Sequence, residues 1–164
     1  MERKCVKGLG PIEGKRVKVL ILGSFAGAMA RKKKQSYANP HNAFWRIMGD
    51  LLNGGKVPDR YQARKALLKK HAIGLWDVVD ECSIVGSQDI SIVPRKLNRI
   101  PRMVKAHPEL KAIFLNGHKA EKLFHENFSF PGTHVEYLPQ TSPAHAAMSY
   151  RRKLNAWKKI LKYI

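Results

Sequence analysis

Four short segments of this chain combine small residues with carboxamides, hydroxyls or a carboxylate: Gly23-Ser24-Phe25-Ala26-Gly27, Trp76-Asp77, Asn116-Gly117 and Pro139-Gln140-Thr141-Ser142-Pro143. Small residues let backbone N–H groups come close to a ligand or a phosphate. A carboxamide such as Asn39 or Asn116 donates and accepts hydrogen bonds at once, but it is not a useful general base at neutral pH. The same residue types also serve ordinary structure. Asn39 before Pro40 suits a helix N-cap, Asn116 before Gly117 suits a turn, and Phe25 suits a core. Asp77 reads equally well as a pocket carboxylate or as an acid capping a helix. Cys5 and Cys82 form no close-spaced ligand set. The expectation is therefore a reducing, cytoplasmic setting with no structural metal and no cofactor.

The elements that must carry these segments alternate between strand and helix. An apolar, β-branched run over 17–22 ending at Gly23 predicts a buried parallel strand. A loop follows over 23–37, holding the basic run Arg31-Lys32-Lys33-Lys34. A helix is expected to start at Asn39-Pro40, with Phe44, Ile47, Met48, Leu51 and Leu52 on its apolar face and Gly54-Gly55 after it. A helix over 60–71, a strand over 73–79, a loop over most of 82–94 and a helix over 94–106 come next. A strand at 110–115, a helix through Phe124, a strand at 135–138, a loop over 139–144 and a C-terminal helix to Ile164 complete the chain. Alternation of this kind predicts a parallel sheet with helices on both faces. Ligands of such sheets bind beyond the carboxyl ends of the strands, where all four segments fall. The length of 164 residues suits one domain over 1–164, with a basic N-terminal extension over about 1–15.

Lys and Arg number 31 against 12 acidic residues, a formal net charge of +19. That excess opposes compaction by self-repulsion, which a polyanionic partner would offset. Nucleic acid is the first candidate and an anionic membrane surface the second. No apolar run approaches the roughly 18 residues of a membrane span.

The blocks Leu22-Gly23-Ser24-Phe25-Ala26-Gly27, Tyr37-Ala38-Asn39-Pro40-His41-Asn42-Ala43-Phe44-Trp45-Arg46, Gly74-Leu75-Trp76-Asp77-Val78-Val79, Phe114-Leu115-Asn116-Gly117 and 138–146 (LPQTSPAHA) occur in this order. Together they resemble the hypoxanthine-DNA glycosylase branch of the uracil-DNA glycosylase superfamily. Ala26 stands where that family usually has proline. The resemblance implies a three-layer α/β/α fold around a four-stranded parallel sheet. It also implies metal-free hydrolysis of the N-glycosidic bond of a flipped-out, deaminated nucleotide, hypoxanthine or uracil. A stacked base shields its sugar, so the nucleotide must first be extruded into a pocket. Stabilising the departing anionic base and placing a water then do the work.

By resemblance, Asn39 and Asn116 are the catalytic amides. The first loop has no carboxylate of the kind that activates water in classical relatives, so Asn39 is implied to position water. Ser24, Phe25, Tyr37, Trp76 and Asp77 are implied to form the base pocket, with Phe25 stacking on the base. Gln140, Thr141, Ser142 and His145 are implied to enter the groove and hold the strand, Ser142 bonding a phosphate and His145 a phosphate or the departing base. Arg151, Arg152 and Lys153 lie on the last helix with no acid among them, which favours phosphate contact over a merely solvated face. Trp45 is expected in the core. The expected partner is double-stranded and also single-stranded DNA, met by a monomer. The expected place is the cytoplasm, or the nucleoid in a prokaryote. Two other readings remain open from sequence. One is a non-catalytic nucleic-acid binder on the same scaffold. The other is a hydrolase of free nucleotides, which would have no need of so high a charge.

Overall fold

The structure, a computed structural model, describes residues 3–85 and 92–164. Its centre is a sheet of four parallel strands: β2 (Val19–Gly23), β3 (Ile73–Asp77), β6 (Ala112–Asn116) and β7 (His134–Leu138), in the order β3-β2-β6-β7. β2 and β6 are buried throughout, as strands covered on both faces must be. Their alternating side chains feed two separate cores. Val19, Ile21, Ala112 and Phe114 face α2 (Phe44–Leu52), α3 (Tyr61–Lys70) and α6 (Tyr150–Trp157). Leu20, Leu22, Ile113 and Leu115 face α4 (Ile100–Ala106) and α5 (His118–Asn127). This is the expected α/β/α layering.

Several local expectations are corrected. The loop over 23–37 contains a helix, α1 (Ala28–Lys33). Its Arg31, Lys32 and Lys33 sit in the last turn, where cations oppose the negative end of the helix dipole. The stretch over 82–94 is not mostly loop. Antiparallel β4 (Val79–Val85) pairs with β5 (Ile92–Leu97) and with β1 (Arg3–Lys7) in a second, three-stranded sheet. The part of that expectation over 86–91 lies outside the described residues. The helix expected over 94–106 is thus strand β5 followed by the shorter α4. Arg95 and Lys96 lie on the strand, and only Arg102 and Lys105 of that basic group lie on the helix. The last helix ends at Trp157 and continues as a 3-10 turn over Lys158–Lys162.

The N-terminal stretch also carries structure. β1 pairs with β4 over its full length. Ile12 is buried and exchanges backbone hydrogen bonds with Leu75 on β3.

The start of α2 decides how Asn39 is presented. Asn39 is not its N-cap: the helix begins at Phe44. The Asn39 Oδ1 accepts the His41 N–H at 2.9 Å, and the Asn39 carbonyl accepts the Asn42 N–H at 2.9 Å. Ala43 is the N-cap and no side chain caps the helix; Asn42 precedes it in a turn, its Oδ1 accepting the Phe44 N–H at 3.0 Å. The short polar side chains at 39 and 42 therefore build two successive turns before the helix begins.

Candidate active-site cleft

Because β2, β3, β6 and β7 run parallel, their carboxyl ends meet on one edge of the sheet, and that edge opens into a cleft of about 510 Å³. Ligand pockets commonly span about 300–1,000 Å³. Ser24, Phe25, Tyr37, Asn39, Trp76, Asp77, Asn116, Gln140, Thr141 and Ser142 all line it. The four segments and the Tyr37–Asn39 block are thus brought together. Gly10 also reaches the cleft, and nothing in the N-terminal sequence beyond its glycines pointed there.

The floor is built on Gly23 and Asp77, which pair across β2 and β3. A Cβ on Gly23 would lie 2.5 Å from Asp77 Oδ1 and 3.2 Å from the Tyr37 hydroxyl oxygen. Glycine is required here by close approach. The Asp77 carboxyl forms no hydrogen bond with a described residue, and its enclosure pushes its pKa up to about 7.

Tyr37 has a φ of 54°, a left-handed conformation costly for a bulky residue. It is held by ring stacking on Phe44 at 4.3 Å and by a hydrogen bond from Asn116 Nδ2 to its hydroxyl at 3.0 Å. Burial first, and the neighbouring Asp77 charge second, raise the Tyr37 hydroxyl above its ordinary range, so it stays neutral.

Asn116 is a clasp. Its Nδ2 donates to Tyr37 and, at 3.1 Å, to Thr141 Oγ1; its Oδ1 accepts the Thr141 N–H at 3.0 Å. Both amide hydrogens are therefore engaged, fixing the 139–144 loop to β6. Gly117, at φ 96°, packs so closely on Gln140 that a Cβ would lie 2.8 Å from the Gln140 Cβ. Trp157 Nε1 donates to the Pro139 carbonyl at 2.9 Å from the other side. Asn39 differs from Asn116: beyond the bond from His41 N–H, its amide makes no hydrogen bond to a described residue, while lining the cleft.

Phe25 is half-buried on the cleft wall, with the Arg31 guanidinium 5.2 Å from its ring centroid. Trp76 donates its Nε1–H to the Leu9 carbonyl at 3.2 Å. Trp45, expected in the core, is buried and donates to the Ser36 carbonyl at 2.8 Å.

His145, Arg151, Arg152 and Lys153 do not line this cleft. His145 and Lys153 line a neighbouring hollow of about 360 Å³, which shares Asn42, Thr141 and Pro143 with it. The placement of Lys153 on an open phosphate-facing surface is corrected. Lys153 is only 6% exposed, and its Nζ lies 3.5 Å from the Ser142 carbonyl. Desolvation lowers its pKa. His145 Nε2 is buried without a partner among the described residues. Arg151 and Arg152 are exposed on α6, where Ser149 Oγ accepts the Arg152 N–H as the N-cap. Sequence reasoning missed Arg46, whose guanidinium lies 3.7 Å over the Tyr150 ring beside the same hollow. Among the described residues, no group of three or more His, Cys, Asp or Glu is placed to hold a metal ion, and no helix is long and apolar enough to cross a membrane.

Comparison with known proteins bears on this geometry. The family model of the uracil DNA glycosylase superfamily matches residues 11–164. A hypoxanthine DNA glycosylase of Methanosarcina acetivorans is 30% identical over 157 residues, spanning 96% of this chain and 98% of the relative. A hypoxanthine DNA glycosylase of Methanosarcina barkeri is 33% identical over 114 residues, spanning 70% and 72%. A solution NMR structure from Methanosarcina acetivorans, provisionally named a uracil DNA glycosylase, superposes with a TM-score of 0.81 at 30% identity, over 97% of this chain and 98% of that one. With a family match that takes in the whole parallel sheet and every cleft-lining residue except Gly10, this protein belongs to the uracil DNA glycosylase superfamily.

Proposed function

We propose that this chain is a monofunctional DNA glycosylase that hydrolyses the N-glycosidic bond of a deaminated base, hypoxanthine first and uracil second, in a nucleotide flipped out of the DNA helix. The observation that carries this reading is that Phe25, Asn39, Asp77 and Asn116 share one cleft at the carboxyl ends of the parallel strands. Phe25 offers a face on which a base can stack, a contact worth about 1–3 kcal/mol in single-strand binders. Asn39 has spare hydrogen-bonding capacity toward the cleft and holds the attacking water. Asn116 keeps the 139–144 loop in register, so that Gln140 and Ser142 meet the strand at the cleft mouth. The likeness to two relatives named for hypoxanthine supports that base as the first substrate.

No lysine is among the described residues that line the cleft. A Schiff base with the sugar therefore has no amine at hand, and excision without strand cleavage follows. Excess positive charge outside the cleft supplies the sequence-independent attraction to phosphate. The test is incubation of excess protein with single-stranded and duplex DNA carrying deoxyinosine or deoxyuridine, followed by alkali. Breaks at the deoxyinosine, and none before alkali, are expected. Intact strands on every substrate would refute the assignment and favour a non-catalytic binder.

A further inference from the structure

We propose that Asp77 is the proton donor to the departing purine: its carboxyl, unpartnered on the floor of the cleft that Phe25 and Asn39 also line, protonates N7 of a flipped hypoxanthine as the bond to the sugar breaks. This deepens the glycosylase reading and rests on it.

Three observations converge on this carboxyl. First, Asp77 is the one acidic residue among the described residues lining the cleft. Second, its oxygens bond to no described residue, although it stands where β3 ends and where glycine at 23 leaves it room. A part-buried carboxyl that faces a cleft and has no protein partner is the kind of group a ligand engages. Third, its surroundings favour the protonated form. Tyr37, itself neutral, is the other titratable side chain lining the cleft. β2 and the turn after it contribute Gly23 and Ser24, β6 contributes Asn116, and the 139–144 loop contributes Gln140, Thr141 and Ser142, none of them charged. Asn98, before α4, bonds the Asp77 backbone carbonyl rather than its carboxyl. The cation described at the wall is Arg31, which stands over Phe25. Enclosure without a counter-charge pushes the Asp77 pKa up to about 7, the range in which a general acid is most effective at neutral pH.

The chemistry uses a property that separates purines from pyrimidines. Hypoxanthine carries a basic N7, and protonation there converts an anionic leaving group into a neutral one. Uracil has no equivalent ring nitrogen. The proton moves from the Asp77 carboxyl to N7, and the electron pair of the C1′–N9 bond passes into the purine ring. Water held at Asn39 adds its oxygen to C1′, and its proton restores the Asp77 carboxyl. Net consumption is one water, with free base and an abasic sugar as products.

The test measures single-turnover excision between pH 5 and 9 on duplexes holding deoxyinosine or 7-deaza-2′-deoxyinosine, which lacks N7. For the native protein, excision of deoxyinosine should fall tenfold per pH unit above about pH 7, because the donor must be protonated. The ratio of deoxyinosine to 7-deazadeoxyinosine excision should shrink over the same range. Asp77→Asn should lower deoxyinosine excision at pH 6 by about 10²-fold, the scale of general-acid catalysis. It should also leave a flat profile and change 7-deazadeoxyinosine excision by less than about threefold, well inside that scale. Asp77→Asn with native-like excision of deoxyinosine overturns the proposal. So does an equal loss on both substrates, which would mark a merely structural role. Where Asp77→Asn does not fold, the native ratio decides: a ratio constant with pH overturns the proposal and a shrinking one supports it. Absence of native excision on deoxyinosine at any pH instead refutes the glycosylase reading itself, and the proposal with it.

Discussion

Replacing Asp77 by Asn should stabilise the protein at neutral and alkaline pH, and the size of the gain follows from the cleft floor. Folding raises this carboxyl from 3.8 to about 7 because it is enclosed without a partner. The unfolded chain therefore loses the proton near pH 4, while the folded chain keeps it to about pH 7. Between these points the folded state binds more protons, so native stability falls as pH rises and levels off above the folded pKa. At about 1.36 kcal/mol for each tenfold change in proton affinity, the ceiling is about 4 kcal/mol. An enclosed, unpaired amide carries its own cost of about 1–3 kcal/mol, leaving a net gain of about 2 kcal/mol. For a chain of this size that is a rise of roughly 4–8 °C in Tm. Thermal unfolding of native and Asp77→Asn protein at pH 4, 6 and 8 measures it. The variant should be the less stable protein at pH 4, by about 1–2 kcal/mol, and the more stable one at pH 8. Equal Tm values at pH 8, or an advantage that shrinks with rising pH, would show that Asp77 is not enclosed as described.

Gly23→Ala should destabilise by about 1–3 kcal/mol in urea unfolding, since its Cβ would lie 2.5 Å from Asp77 Oδ1. The displaced carboxyl should also lower deoxyinosine excision. Phe25→Ala should weaken binding of deoxyinosine DNA relative to undamaged DNA by about 1–3 kcal/mol, read as a smaller affinity ratio in fluorescence titrations. Reversing charge at Arg151 and Arg152, both exposed, should weaken binding to all sequences alike. It should reduce the slope of log affinity against log salt by about 1 for each phosphate the protein no longer neutralises; an unchanged slope would show that this face does not meet phosphate.

The parallel sheet was legible because β2 and β6 are continuous apolar runs with no competing periodicity, and the carboxyl-end rule then gathers the chemistry into one place. The antiparallel sheet was not. β4 carries Asp80, Glu81 and Ser83, and β5 holds Pro94, Arg95 and Lys96 along a mostly exposed edge. Pairing across a gap in sequence, not residue type, makes these segments strands. Asn39 before Pro40 has the signature of a helix start, but two turns intervene and the helix starts after Ala43 with no side-chain cap. The charge of Lys153 suggests an open surface, but Lys153, Trp157 and Ile160 recur at helical spacing, and all three are buried. The clasp formed by Asn116 depends on Tyr37 and Thr141, distant in sequence, and only the folded chain discloses it.

Asn39→Ala, assayed side by side for excision of deoxyinosine and for binding of the same duplex, tests the water-positioning role most directly. Excision should fall by at least about 10²-fold, the scale on which single positioned polar groups act in hydrolysis, while affinity stays near the native value and the fold is retained. Full excision by a folded Asn39→Ala protein would contradict the account, because the attacking water would then be held by some other group.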